Sequence, residues 1–141
     1  MTKRIKSPVL SVSAFIKKNN KYLLTFDPKF GFWRVPGGRP DFSEKVETAL
    51  RREMKEELDI YIEIIKFLGF GQDIVISTRK KLKASRLLLY FECKIKKGKV
   101  KLMEPREISE MKWLSLDEIK KHKNLEPGMK DFFKRFGFGN I

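Results

Sequence analysis

Residues 36–60 read PGGRPDFSEKVETALRREMKEELDI, and they gather carboxylates in a chain that elsewhere gathers cations. From Asp41 to Glu57 six acidic residues stand against four basic ones, whereas the whole chain of 141 residues carries a formal net charge of +14. Pro36, Gly37, Gly38 and Pro40 predict a shaped loop rather than a regular element, because glycine permits backbone conformations and close approaches that a β-carbon blocks. Asp41 precedes Glu44 by three residues, the spacing of an N-cap and its reciprocal carboxylate. A helix is therefore expected from Asp41 to about Leu58, with Asp59 as the departure residue because aspartate tolerates non-helical geometry.

Projected at about 100° per residue from Glu53, the side chains of Val46, Ala49, Leu50, Met54 and Leu58 form one apolar face. Glu57 falls inside that face at about 40°, with Glu56 at its edge at about 300°. A helix laced with surface ion pairs would place its carboxylates opposite, as Glu44 and Glu47 more nearly are. Carboxylates on adjacent turns repel, and a divalent cation relieves that repulsion most directly. Oxygen-only ligands favour magnesium or manganese, particularly where substrate phosphates complete the shell. The spacing of a calcium loop is absent. A single histidine and a single cysteine argue against a zinc site.

These residues carry a family resemblance. The stretch from Gly38 to Ile60 resembles the signature of the Nudix hydrolases, in which Gly, Glu, Arg-Glu, an aliphatic residue, Glu-Glu, Gly and an aliphatic residue recur at fixed intervals. Gly38, Glu44, Arg52, Glu53, Met54, Glu56, Glu57 and Ile60 stand at those places, and Asp59 departs by occupying the final glycine's position. The preceding VPGG and the later WLSLDEI from Trp113 resemble the family's flanks. The resemblance implies a single domain over residues 1–141 with an α/β/α sandwich, a mixed β-sheet and a loop-helix-loop motif. It implies that Glu53, Glu56 and Glu57 bind Mg2+ or Mn2+ together with the carbonyl of Gly38. Arg52 would orient the cluster through Glu44, which serves equally as a helix cap. A glutamate outside the signature often acts as base in the family, and Glu107 and Glu110 are the candidates. The implied reaction is hydrolysis of a phosphoanhydride in a nucleoside diphosphate-linked substrate.

Outside the signature the chain alternates strand-like and helical windows. VLSVSAFI from Val9 and KYLLTF around an Asn19-Asn20 turn read as a hairpin. IYIEIIKFLGF, QDIVIST and RLLLYFECKI read as strands, with KKGK turning into a further strand KVKLM. Ser115 and Glu118 have capping-box spacing before a helix from Leu116 to Lys121, and Pro127 opens a last helix that stops near Gly137. The 41% hydrophobic content and seventeen aromatic residues argue for a packed core rather than disorder. Cys93, flanked by apolar residues, is expected to be buried and structural, and His122 to be a surface side chain on a lysine-rich helix. No segment reaches the length of a membrane span and the amino terminus lacks a leader-like apolar run, so a cytoplasmic location is expected. The chain does not declare monomer or homodimer.

The basic excess suits a solvated surface, a phosphorylated ligand or a macromolecular anion. Arg34 and Arg39 adjoin the signature and are candidates for phosphate contact; Arg79 and Arg86 stand behind them. Phe32 and Trp33 are candidates for stacking on a base or for packing, and Gly37 for shaping the loop. Ile76 lies where some subclasses of the family carry a proline or a tyrosine, and no proline falls between Pro40 and Pro105. A nucleoside triphosphate, oxidised or not, is thus the first substrate class. ADP-ribose or another nucleotide sugar, an RNA end, and non-catalytic nucleotide sensing are the alternatives.

Overall fold

The computed structural model describes residues 3–4 and 7–138, so part of the amino-terminal stretch read for a leader lies outside it. The chain runs β1 (Lys3–Arg4), β2 (Val9–Lys18), β3 (Lys21–Asp27), β4 (Phe32–Arg34), β5 (Gly37–Gly38), α1 (Val46–Leu58), β6 (Tyr61–Ile76), β7 (Leu82–Lys97), β8 (Glu110–Leu114), α2 (Leu116–Lys120) and α3 (Pro127–Phe136). The sheet is mixed: β2 lies parallel to β7, which also pairs antiparallel with β6, while β3 pairs antiparallel with β2, β4 and β8. Asn19 and Asn20 both take positive φ in the turn between β2 and β3, as a tight hairpin requires. The fold is a mixed sheet with flanking helices, an α/β/α sandwich.

Side-chain alternation along β2 divides the core in two. Val12, Ala14 and Ile16 face α1 and pack with Ala49, Leu50, Met54 and Leu58. Phe15 faces the other way, into an aromatic cluster with Tyr22, Tyr90, Phe132 and Phe138 beneath α3. Pro127 opens α3 at a position whose missing N–H costs nothing, and Gly137 closes it in the left-handed region. Close approach of α3 to the sheet depends on Gly71, where a β-carbon would strike the carbonyl of Gly128. Cys93 is fully buried, and burial pushes its thiol up to about 12.

Four sequence expectations are corrected. The helix begins at Val46 rather than near Asp41, because Ser43 adopts φ +65° and breaks the run; Asp41 and Glu44 instead close a turn in which the Glu44 carboxylate accepts the Asp41 N–H at 2.9 Å. Gly37–Gly38 is a short strand on β2 rather than pure loop. KVKLM forms no strand; Lys101 and Met103 donate their N–H groups at 3.0 Å to the carbonyls of Leu58 and Glu57, satisfying the end of α1. His122 follows α2, half-buried, with its ring 6.0 Å from that of Trp33 and its Nε2 2.9 Å from Lys112 Nζ.

Candidate active site

The helix α1 brings its carboxylates to the edge of β2, where a cavity of about 650 Å³ opens. Glu57 is 3% exposed, Glu53 is largely covered and Glu56 is half-exposed, in the order their angular positions predict. Ser11 donates its hydroxyl to the carbonyl of Gly38 at 3.2 Å, which fixes the strand end beside α1. A β-carbon on residue 38 would fall within the Glu53 carboxylate, so glycine there is a condition of the carboxylate's position.

Arg52 organises the acidic side. Its Nε and Nη2 form a bidentate pair with Glu44 at 2.8 and 2.9 Å, its Nη1 reaches Glu53 and Glu56 at 3.1 Å each, and Nη2 also donates to the Arg39 carbonyl. Hydrogen bonding to Arg52 holds the Glu44 carboxyl down to about 2. Glu53 and Glu57 are pushed the other way. Burial raises Glu53 despite Arg52, and burial raises Glu57 to about 8 despite the attraction of Arg34, with Glu53 and Glu107 adding repulsion. Glu57 Oε2 is buried with no hydrogen-bond partner among the described residues.

Three carboxylate, histidine or cysteine side chains do not converge closely enough to hold a metal ion as they stand, among the described residues. The donor chemistry nevertheless fits one. An orphaned carboxylate oxygen at Glu57 and a second, largely covered carboxylate at Glu53 are donors of the kind a hard divalent cation takes.

Of the residues singled out from sequence, Arg34, Gly37, Gly38, Arg39, Glu53, Glu56, Glu57, Arg79, Arg86 and Glu107 line this one cavity. Arg34 is buried and committed to Asp27 at 2.9 Å, and Glu107 is paired with Lys29. Glu110 is corrected: it is exposed on β8 opposite Phe26 and outside the lining, whereas Glu104 belongs to it. Phe32 is buried and stacks on Phe30, the residue of that pair in the lining. Trp33 packs between Phe26 and the Lys112 ammonium, away from the cavity. Sequence reasoning missed Ser11, Ser13, Phe30, Glu104, Arg106 and Glu126, and ranked Arg86 too low. Alternation along β2 could have found the serines; the others arrive through long-range pairing and loops.

A model of the NUDIX domain matches residues 7–136. The chain belongs to the Nudix hydrolase family. Its fold is that of a MutT NUDIX hydrolase from Burkholderia pseudomallei (TM-score 0.75, 23% identity, 92% of this chain and 98% of that one). It is likewise similar to a MutT protein from Methanosarcina mazei Go1 (TM-score 0.75, 25% identity, 94% and 96% covered). Among curated proteins it resembles Nudix hydrolase 7 of Arabidopsis thaliana, 27% identical over 110 residues. That match covers 73% of this chain and 37% of the relative. An ADP-ribose pyrophosphatase of Methanocaldococcus jannaschii is 37% identical over 65 residues, covering 44% and 38%. The chain thus matches well under half the length of these curated relatives. Asp59, the departure from the Nudix signature, takes φ 57° and ψ 38°, the left-handed conformation that glycine reaches without a steric cost. No helix among the described residues is long and apolar enough to cross a membrane.

Proposed function

We propose that this Nudix domain, spanning residues 1–141 in a cytoplasmic setting, is a divalent-metal-dependent pyrophosphohydrolase that cleaves a nucleoside triphosphate to its monophosphate and pyrophosphate. The observation that carries the reading is the unpartnered, buried Glu57 oxygen beside Glu53 in a cavity whose other walls present Arg39, Arg79, Lys80 and Arg106. Glu53, Glu56, Glu57 and the Gly38 carbonyl would hold magnesium or manganese, which when bound neutralises a diphosphate and acidifies water. Arg52 pairs with Glu53 and Glu56 and ties them to the Arg39 carbonyl just past β5. In the reaction the water oxygen bonds to one phosphorus of the anhydride and that phosphorus's P–O bond to the bridging oxygen breaks, the electron pair leaving with the other product. Glu107 or Glu104 takes the water proton, since both line the cavity within electrostatic reach of the acidic pair.

Likeness over a short span to a protein named ADP-ribose pyrophosphatase supports nucleotide sugars as the second reading. Incubation with magnesium and a panel of nucleotides, with products resolved, separates the two. Monophosphate plus pyrophosphate is expected; monophosphate plus sugar phosphate would establish the second reading, and tight binding without cleavage would make the domain a sensor.

A further inference from the structure

Along β7 from the Gly38 end of the cavity stands a buried group that the phosphate chemistry does not use. Arg86 is 8% exposed, and three of its five N–H groups are committed. Nε donates to Asp73 Oδ1 at 2.9 Å, while Nη2 donates to Asp73 Oδ2 at 2.7 Å and to Glu126 Oε2 at 3.0 Å. Asp73 also receives the Gly128 N–H at 2.8 Å, and Glu126 Oε1 receives the Tyr90 hydroxyl at 2.9 Å. The guanidinium is therefore fixed, and its Nη1 makes no bond to the described residues although Arg86 lines the cavity.

Beside it lies an aromatic platform. The rings of Phe30 and Phe32 are stacked, with centroids 5.3 Å apart and planes 14° from parallel, and the Arg86 Cζ lies 5.3 Å from the Phe30 centroid. Phe30 is half-buried and lines the cavity. Glu126, also in the lining, has accepted one hydrogen bond on each oxygen, which leaves a carboxylate with capacity for more. Arg86 is in register with Val9 of β2 and Gly38 with Val12, so Arg86 stands roughly 10 Å along the strand from Gly38, against which the Glu53 carboxylate lies. A ribose and one phosphate fit between.

We infer that Phe30, Arg86 and Glu126 form a nucleobase site that selects a lactam edge, a ring carbonyl next to a ring N–H. The carbonyl accepts from Arg86 Nη1, the N–H donates to Glu126, and Phe30 stacks on the ring. Hypoxanthine, guanine and uracil present that edge; adenine and cytosine present an amino group beside an unprotonated nitrogen. A site of fixed, buried polar groups discriminates sharply because the wrong base leaves them unpaired.

Inosine and adenosine nucleotides differ at that edge alone, which makes them the test. The assignment rests on the nucleotide reading of this cavity, so cleavage and binding are measured separately: kcat/KM for ITP and ATP with magnesium, and metal-free binding of IMP and AMP by calorimetry. ITP is expected to exceed ATP, and IMP to bind more tightly than AMP, each by about tenfold or more. Phe30→Ala should weaken both nucleotides about tenfold and leave their ratio unchanged, whereas Glu126→Gln should bring the ratio toward one. Should Glu126→Gln fail to fold, the wild-type ratios decide alone. Equal rates and equal binding for the two bases overturn the base site while leaving hydrolysis intact. IMP preference without cleavage of any triphosphate upholds the base site and overturns the hydrolase reading. If Arg86 holds phosphate instead, ITP and ATP are equivalent and inorganic pyrophosphate competes with IMP, which also overturns it.

Discussion

Glu57 concentrates the chemistry of this domain in one side chain. Burial raises its carboxyl to about 8, against an ordinary value of 4.5, so near neutrality the metal-free protein holds a proton there. A cation needs the carboxylate, and binding must expel that proton. Magnesium binding near pH 7 is therefore expected to release close to one proton, read by titration calorimetry in two buffers of different ionisation enthalpy; no release would contradict the assignment. The sign of the stability effect follows. A carboxyl whose folded affinity for protons exceeds its unfolded one contributes stability below about pH 4.5 that is lost as pH rises through about 8. The metal-free Tm of wild type should decline over that window relative to Glu57→Gln, and magnesium should remove the difference. The direction of Glu57 was legible in the sequence because helical projection is a local property. Its missing hydrogen-bond partner was not, since that depends on Lys29, Arg34 and Glu107 arriving from distant positions.

Among the elements, α1 shows where local reading succeeds and where it stops. Its packed face and its exit at Asp59 follow from residue order, but its start does not. Asp41 and Glu44 have capping-box spacing, yet Arg52, eight residues beyond Glu44, draws that carboxylate into a bidentate pair, and the chain makes a turn at Ser43 before the helix begins. The strand at Gly37–Gly38 was hidden for the same reason: its partner is β2, far away in sequence. At the other end, Asp59 pays the modest penalty of a left-handed residue, offset by its exposed ion pair with Lys55. Asp59→Gly should change stability by no more than about 1 kcal/mol in chemical denaturation and leave kcat unchanged. Asp59→Val, with a branched side chain at positive φ, should cost about 1–2 kcal/mol. Loss of catalysis in Asp59→Gly would mean that the aspartate, and not the helix exit, matters.

On the scale of the whole molecule, the charge balance noticed first acquires a shape. The acidic cluster on α1 stands at one side of a cavity whose other walls carry arginines and lysines drawn from both halves of the chain, from Lys29, Arg34 and Arg39 to Arg79, Lys80, Arg86 and Arg106. The long strands and the helices were readable from periodicity and capping, and the fold class from the signature; the short strands β4, β5 and β8 were not, because their pairing partners lie elsewhere in the chain. The cavity was readable only at its signature side, because Arg86, Asp73 and Glu126 are joined across 13 and 40 residues of sequence. The central claim is that the α1 carboxylates support metal-dependent cleavage of a nucleotide phosphoanhydride. Its most direct test is the turnover of Glu57→Gln against wild type at saturating magnesium, using the triphosphate cleaved best in the product-resolved panel. A fall in kcat of about a hundredfold or more in a variant that retains its fold is expected; unchanged turnover would contradict the account.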